Sequence, residues 1–177
     1  SEYKGGGKLY KSANGAALGT EQGEALRFSN GHELSALLAQ CGEYAALYAR
    51  GAVTLDSAFA LPYGAGMVID GGNSLTLAPG ASLTCTGNIW VNGGALTVSD
   101  GASITFGNET ARIWANAEDG SSVTGQGLDS ITVRYTKRGV NSQADMDAAF
   151  GGAYSDEIIH IIDVNTPVSI NQAWNVG

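Results

Sequence analysis

From Val53 onward the chain is written in short units of apolar, polar or small, then apolar residues. Val53-Thr54-Leu55, Leu75-Thr76-Leu77, Leu83-Thr84-Cys85, Ile89-Trp90-Val91, Leu96-Thr97-Val98, Ile104-Thr105-Phe106 and Ile113-Trp114-Ala115 are the clearest. Phe59-Ala60-Leu61, Met67-Val68-Ile69, Val123-Thr124-Gly125 and Ile131-Thr132-Val133 are looser versions. Side chains alternate across a strand, so the outer two residues of each unit share one face and the middle residue takes the other. Each unit therefore predicts a short strand with its outer residues in a core. Links such as Ala78-Pro79-Gly80 and Ser99-Asp100-Gly101 carry turn residues.

The strands recur in threes. Ser74 to Gly94 nearly repeats as Ala95 to Gly120, and the middle residues align as Thr54, Thr76, Thr97 and Thr124, then Ala60, Thr84, Thr105 and Thr132, then Val68, Trp90 and Trp114. Three strands per repeat of a little over twenty residues predict an all-β, three-sided parallel coil. Each turn stacks about 4.8 Å from the last. The alignment also stacks Asp70, Asn92 and Asn116 at one corner, where Asn side chains can hydrogen-bond along the ladder.

Before the coil the period changes. Asn30 with Glu33 forms a capping pair, Leu34, Leu37, Leu38 and Cys41 make one apolar stripe, and Gly42 follows. This predicts a short amphipathic helix that covers the open end of the coil, where core and unpaired backbone would otherwise meet water. Ser142, Asp145, Met146, Ala149 and Phe150 predict a second short helix near 142–150, and Val168 to Trp174 then matches Val53 to Phe59. The expected organisation is an N-terminal loop and edge segment (1–29), a capping helix with its rungs (30–140), and the start of a second, truncated helix-plus-rung unit continuous with the same solenoid (141–177). On this reading the chain is a fragment of a longer protein.

Composition narrows the partners. Acidic residues outnumber basic ones 17 to 9, a net charge of -8, which is the wrong sign for binding phosphate backbones, so no nucleic acid is expected. No apolar run reaches the length of a membrane span. Glycine, at 26 of 177 residues, is about twice its average usage and suits many tight corners.

Val53 to Phe106, following "NGHELSALLAQ", resembles the right-handed, single-stranded parallel β-helix repeat modules, pectate-lyase-like in fold, of bacterial cell-surface and secreted proteins. The resemblance covers about Asn30 to Val133 and again Asn141 to Gly177. It implies an extracellular or cell-surface location and a non-catalytic structural or adhesive role, with a polysaccharide or a host or cell-wall glycan as partner. Two alternatives stay open: a carbohydrate-binding module using outward aromatics, and a non-catalytic fragment of a polysaccharide lyase or glycoside hydrolase.

The sharpest ligand-binding candidates are Trp90 and Trp114, predicted to point outward on adjacent rungs. Two roles are open for them, a platform for sugar rings or mutual covering. The threonine ladders are either a regular hydroxyl array or good outward strand residues. Asp70, Asp100, Glu118 and Asp119 are either calcium ligands or solvated turns. Cys41 and Cys85 read as small buried hydrophobes, with a disulfide between them the alternative. Neither His32 nor His160 has a partner nucleophile in the pattern. No catalytic residue, metal ligand or cofactor is expected.

Overall fold

The computed structural model describes residues 10–11, 17–18, 26–139, 142–145 and 158–162, with side chains described for 26–135 and 142–145. It is an all-β parallel solenoid of about five turns with few helical residues. A small antiparallel pair, β1 (Tyr10–Lys11) with β2 (Ala17–Leu18), stands apart from it in the chain's pairing.

Three sheets form the sides of the coil. The first, in stacking order, is β3 (Leu26–Phe28), β4 (Ala46–Ala49), β7 (Gly66–Asp70), β10 (Ile89–Asn92), β13 (Ile113–Asn116), β15 (Thr132–Gly139) and β16 (Ile158–Ile162). The second is β5 (Ala52–Leu55), β8 (Ser74–Leu77), β11 (Ala95–Val98) and β14 (Ser122–Thr124). The third is β6 (Ala58–Ala60), β9 (Ser82–Cys85) and β12 (Ser103–Phe106).

The register is the one the repeat predicts over most of its length. Thr54, Thr76, Thr97 and Thr124 stand in one column, Ala60, Thr84 and Thr105 in a second, and Val68, Trp90 and Trp114 in a third. Inward columns such as Val53–Leu75–Leu96 and Leu47–Met67–Ile89–Ile113 are buried, so apolar area is removed from water on every rung.

Thr132 departs from the prediction. It lies in the first sheet opposite Ile113, on the inward side, and not in the threonine column of the third sheet. The fourth turn omits a strand in the third sheet. Gly125 and Gly127 take positive φ, Leu128 is buried in the core, and the chain next pairs in the first sheet as β15. Consequently β12 is an edge, and Ile104 and Phe106 are only half-buried, whereas Leu83 and Cys85 one rung below are fully buried.

Helix α1 (Gly31–Leu38) opens as predicted: Asn30 Oδ1 accepts the Glu33 N–H at 2.9 Å, and Glu33 Oε2 accepts the Ser29 N–H at 2.7 Å. It closes at Ala39, before Gly42. Leu34 is fully buried, and the helix packs on β3 and β5. The pattern did not predict β3 or β4. Leu26 and Phe28 are buried and pair with β4, so α1 is inserted between the first two strands of the first sheet. Residues 143–145 are helical. The matches at Met146, Ala149 and Phe150 and at Val168 to Trp174 lie outside the described residues.

Candidate functional site

The chemistry-bearing side chains gather on the outward face of the first sheet. Pairing sets Tyr48, Val68, Trp90, Trp114 and Val133 in one column. Trp90 and Trp114 stack with centroids 5.3 Å apart and planes 17° from parallel. That separation is close to the rung spacing. Each indole therefore turns its faces along the coil axis toward its neighbours, and the pair presents edges outward. Both are half-buried.

The next column holds Asp70, Asn92 and, one register step beyond the Val91–Ala115 pair, Asn116, with Tyr135 opposite Asn116. The asparagines do not bond to one another. Asn116 Oδ1 accepts the Glu118 N–H at 3.0 Å within its own turn. Asn92 Oδ1 accepts the Tyr135 hydroxyl. Tyr135 thus reaches down two rungs, edge-on to Trp90 at 5.5 Å and to Trp114 at 6.3 Å. It is fully buried, and burial, with the charges of Asp119 and Asp70, pushes its phenol up to about 12. Asp70 meets Arg50 at 3.7 Å, and the same guanidinium lies 5.3 Å from the Tyr48 ring centroid.

Beside Trp90 the corner between the third and first sheets opens into a groove of about 180 Å³. Tyr44 and Gly64 lie along it, with Gly66, Gly87 and Asn88 continuing its floor. Tyr63 stands next to it, its ring 5.6 Å from that of Tyr44 and nearly perpendicular.

No family model, no curated protein and no solved structure matches this chain.

The other sequence candidates do not converge. Asp119 Oδ1 lies 2.7 Å from Ser121 Oγ and Asp70 faces Arg50, and no group of three or more His, Cys, Asp or Glu that could hold a metal occurs among the described residues. Elsewhere on the surface, the Arg112 guanidinium donates to the main-chain carbonyl of Glu109 at 2.6 Å. Arg134 and Asp129 border one pocket of about 360 Å³ together with Thr132 and Val133. Cys41 and Cys85 are both free and buried, and burial raises both thiols, Cys85 to about 12. The side chain of His160 lies outside the described residues.

What sequence reasoning missed is the set of ties between turns. Asn73 Oδ1 accepts the Gly51 N–H at 2.8 Å, Thr86 Oγ1 the Gly64 N–H at 2.6 Å, Asn88 Oδ1 the Arg112 N–H at 2.9 Å and Ser121 Oγ the Gly93 N–H at 2.8 Å. Each joins a corner to the adjacent turn and satisfies an N–H the ladder leaves open. Their signal was a small polar residue beside glycine at one-turn spacing. Tyr44, Tyr63 and Tyr135 were missed because none sits at the middle of an apolar-x-apolar unit.

Proposed function

We propose that the chain is a non-catalytic structural module of a secreted or surface-anchored bacterial protein, a stiff spacer that separates or presents other parts. The register of the second sheet carries this reading: Thr54, Thr76, Thr97 and Thr124 remain in one column although the intervals between them are 22, 21 and 27 residues. The extra residues of the longest turn are absorbed in corners without displacing the ladder. Where strands pair above and below and corners are tied by side chains, the coil resists bending. The extracellular setting and the adhesive role rest on the resemblance to surface β-helix modules.

Two measurements test it together. A screen on neutral and acidic polysaccharides, following new reducing ends and unsaturated products, is expected to show no turnover. Immunolabelling of intact source cells is expected to find the protein without permeabilisation. Turnover abolished by one substitution among the described residues overturns the structural reading in favour of a lyase or hydrolase. Labelling only after permeabilisation removes the surface location.

A further inference from the structure

We propose that the groove beside Tyr44 and Trp90 binds a neutral saccharide, with Tyr44 and Tyr63 as its aromatic contacts and Asn88 as its hydrogen-bond donor. This goes beyond the spacer reading and does not depend on it. Tyr44 and Tyr63 are the large hydrophobic side chains that stand exposed among the described residues, at 55% and 56%. They are held together: the Tyr44 N–H donates to the Tyr63 carbonyl at 2.9 Å, and the rings meet edge to face. Tyr44 also has φ 61°, the one positive φ at a non-glycine among the described residues. A bulky side chain in that region is strained, and such strain concentrates at binding sites.

The strained backbone sets the Tyr44 ring on Gly64, where a Cβ would collide with it. A Cβ on Gly66 would strike the Asn88 carbonyl, and one on Gly87 would lie 2.5 Å from the carbonyls of Gly64 and Ala65. Glycine at these positions lets adjacent turns approach closely, and Ala45, Ala46, Met67 and Val68 complete the apolar lining. Trp90, fixed by its stack on Trp114, forms part of the lining. Asn88 Oδ1 is occupied by the Arg112 N–H, while its Nδ2 makes no hydrogen bond among the described residues and remains a donor.

Three properties select the ligand class. No charged side chain lines the groove, although the chain carries a net charge of -8, so a neutral ligand suits it. Its 180 Å³ lies below the roughly 300–1,000 Å³ of pockets for drug-sized molecules, which suits one ring, with further units lying over the tyrosines. An aromatic face is negative and attracts the C–H groups of a pyranose, while the amide and phenols serve its hydroxyls. A protein partner is disfavoured, because a stable interface covers about 800 Å² per side and this aromatic patch is two side chains.

The test is calorimetric titration of the whole chain with neutral β-linked gluco-, manno- and chito-oligosaccharides, with oligogalacturonate as the acidic arm. The variants are Tyr44→Asn, which tolerates the left-handed backbone, and Tyr63→Ala, both exposed positions. Expected is binding of at least one neutral oligosaccharide, weakened about tenfold or more in either variant, with a cooperative thermal transition retained. Three results overturn the proposal: no neutral oligosaccharide bound at millimolar concentration, binding of the acidic arm alone, or affinity unchanged in both variants. Sedimentation adds a fourth: a change of assembly mass in the variants without a change in sugar affinity makes the patch a self-association surface.

Discussion

Asn73 illustrates what a single residue does in a coil of this kind. Its Oδ1 takes the Gly51 N–H, and its Nδ2 reaches the carbonyls of Asp70 and Gly71, each at 3.2 Å. Asn73→Ala leaves that N–H to water, and a loss of about 0.5–1.5 kcal/mol in unfolding free energy is expected from denaturant titration. The buried titratable groups make a second residue-scale prediction. Cys85 is raised from 9.0 to about 12, by burial, and Tyr135 from 10.0 to about 12, by burial first and then by Asp119 and Asp70. A folded value above the unfolded one contributes stability that is fully present below the unfolded value and lost as pH climbs to the folded one. Unfolding free energy should therefore fall between pH 9 and about 12, and Cys85→Ala should flatten the onset of that fall. In the folded protein neither cysteine should react with a thiol reagent at pH 8, and two should react after denaturation.

At the scale of the element, a position's worth depends on whether a turn stacks above it. Leu83 and Ile104 occupy the same inward column, one in the middle strand of the third sheet and the other at its edge. Leu83→Ala is expected to cost about 2–5 kcal/mol and Ile104→Ala clearly less, both read from denaturation midpoints. The alternation that marked both residues as inward was legible in the sequence. The missing strand above β12 was not, because Val123-Thr124-Gly125 and Ile131-Thr132-Val133 look like two consecutive sides of a rung. Gly125, Gly127 and Leu128 turn the chain directly to the first sheet, and only the completed coil shows that one side was skipped. The opposite error occurred at β3 and β4. Leu-Arg-Phe and Ala-Leu-Tyr-Ala flank a helix and look like its surroundings, yet both add to the first sheet. The helix cap itself was fully local and was read correctly from Asn30 and Glu33.

For the molecule as a whole, the consequence of stacking is modularity. Ala95 stands in register with Ser74, so deleting residues 74–94 joins Asn73 to a residue in the equivalent position and removes one complete turn. The shortened chain should keep its β circular dichroism and a cooperative thermal transition, because each turn contacts chiefly its neighbours. Deleting residues 74–84 alone breaks the threefold order and should abolish that transition. Much of the candidate site also belongs to this scale. Trp90 and Trp114 were singled out by sequence and do stand on one outward column. Their company was not legible: Tyr135 comes from the fifth strand of the stack beginning at β4, and Tyr44 and Tyr63 come from two separate corners.

The sequence by itself determined the parallel solenoid, the register of its central turns, the inward and outward sense of most strand residues and the start of the capping helix. All of these follow from local alternation, turn residues and a repeat of fixed order, which short-range sterics and burial translate directly into geometry. The tertiary structure decided the rest: which side of the fourth turn is skipped, that the tryptophans turn faces to each other and edges outward, that Tyr135 is buried against them, and that Tyr44, Gly64, Gly87 and Asn88 line one uncharged groove. These depend on contacts between residues one or more turns apart, whose distances are set only when successive turns have stacked.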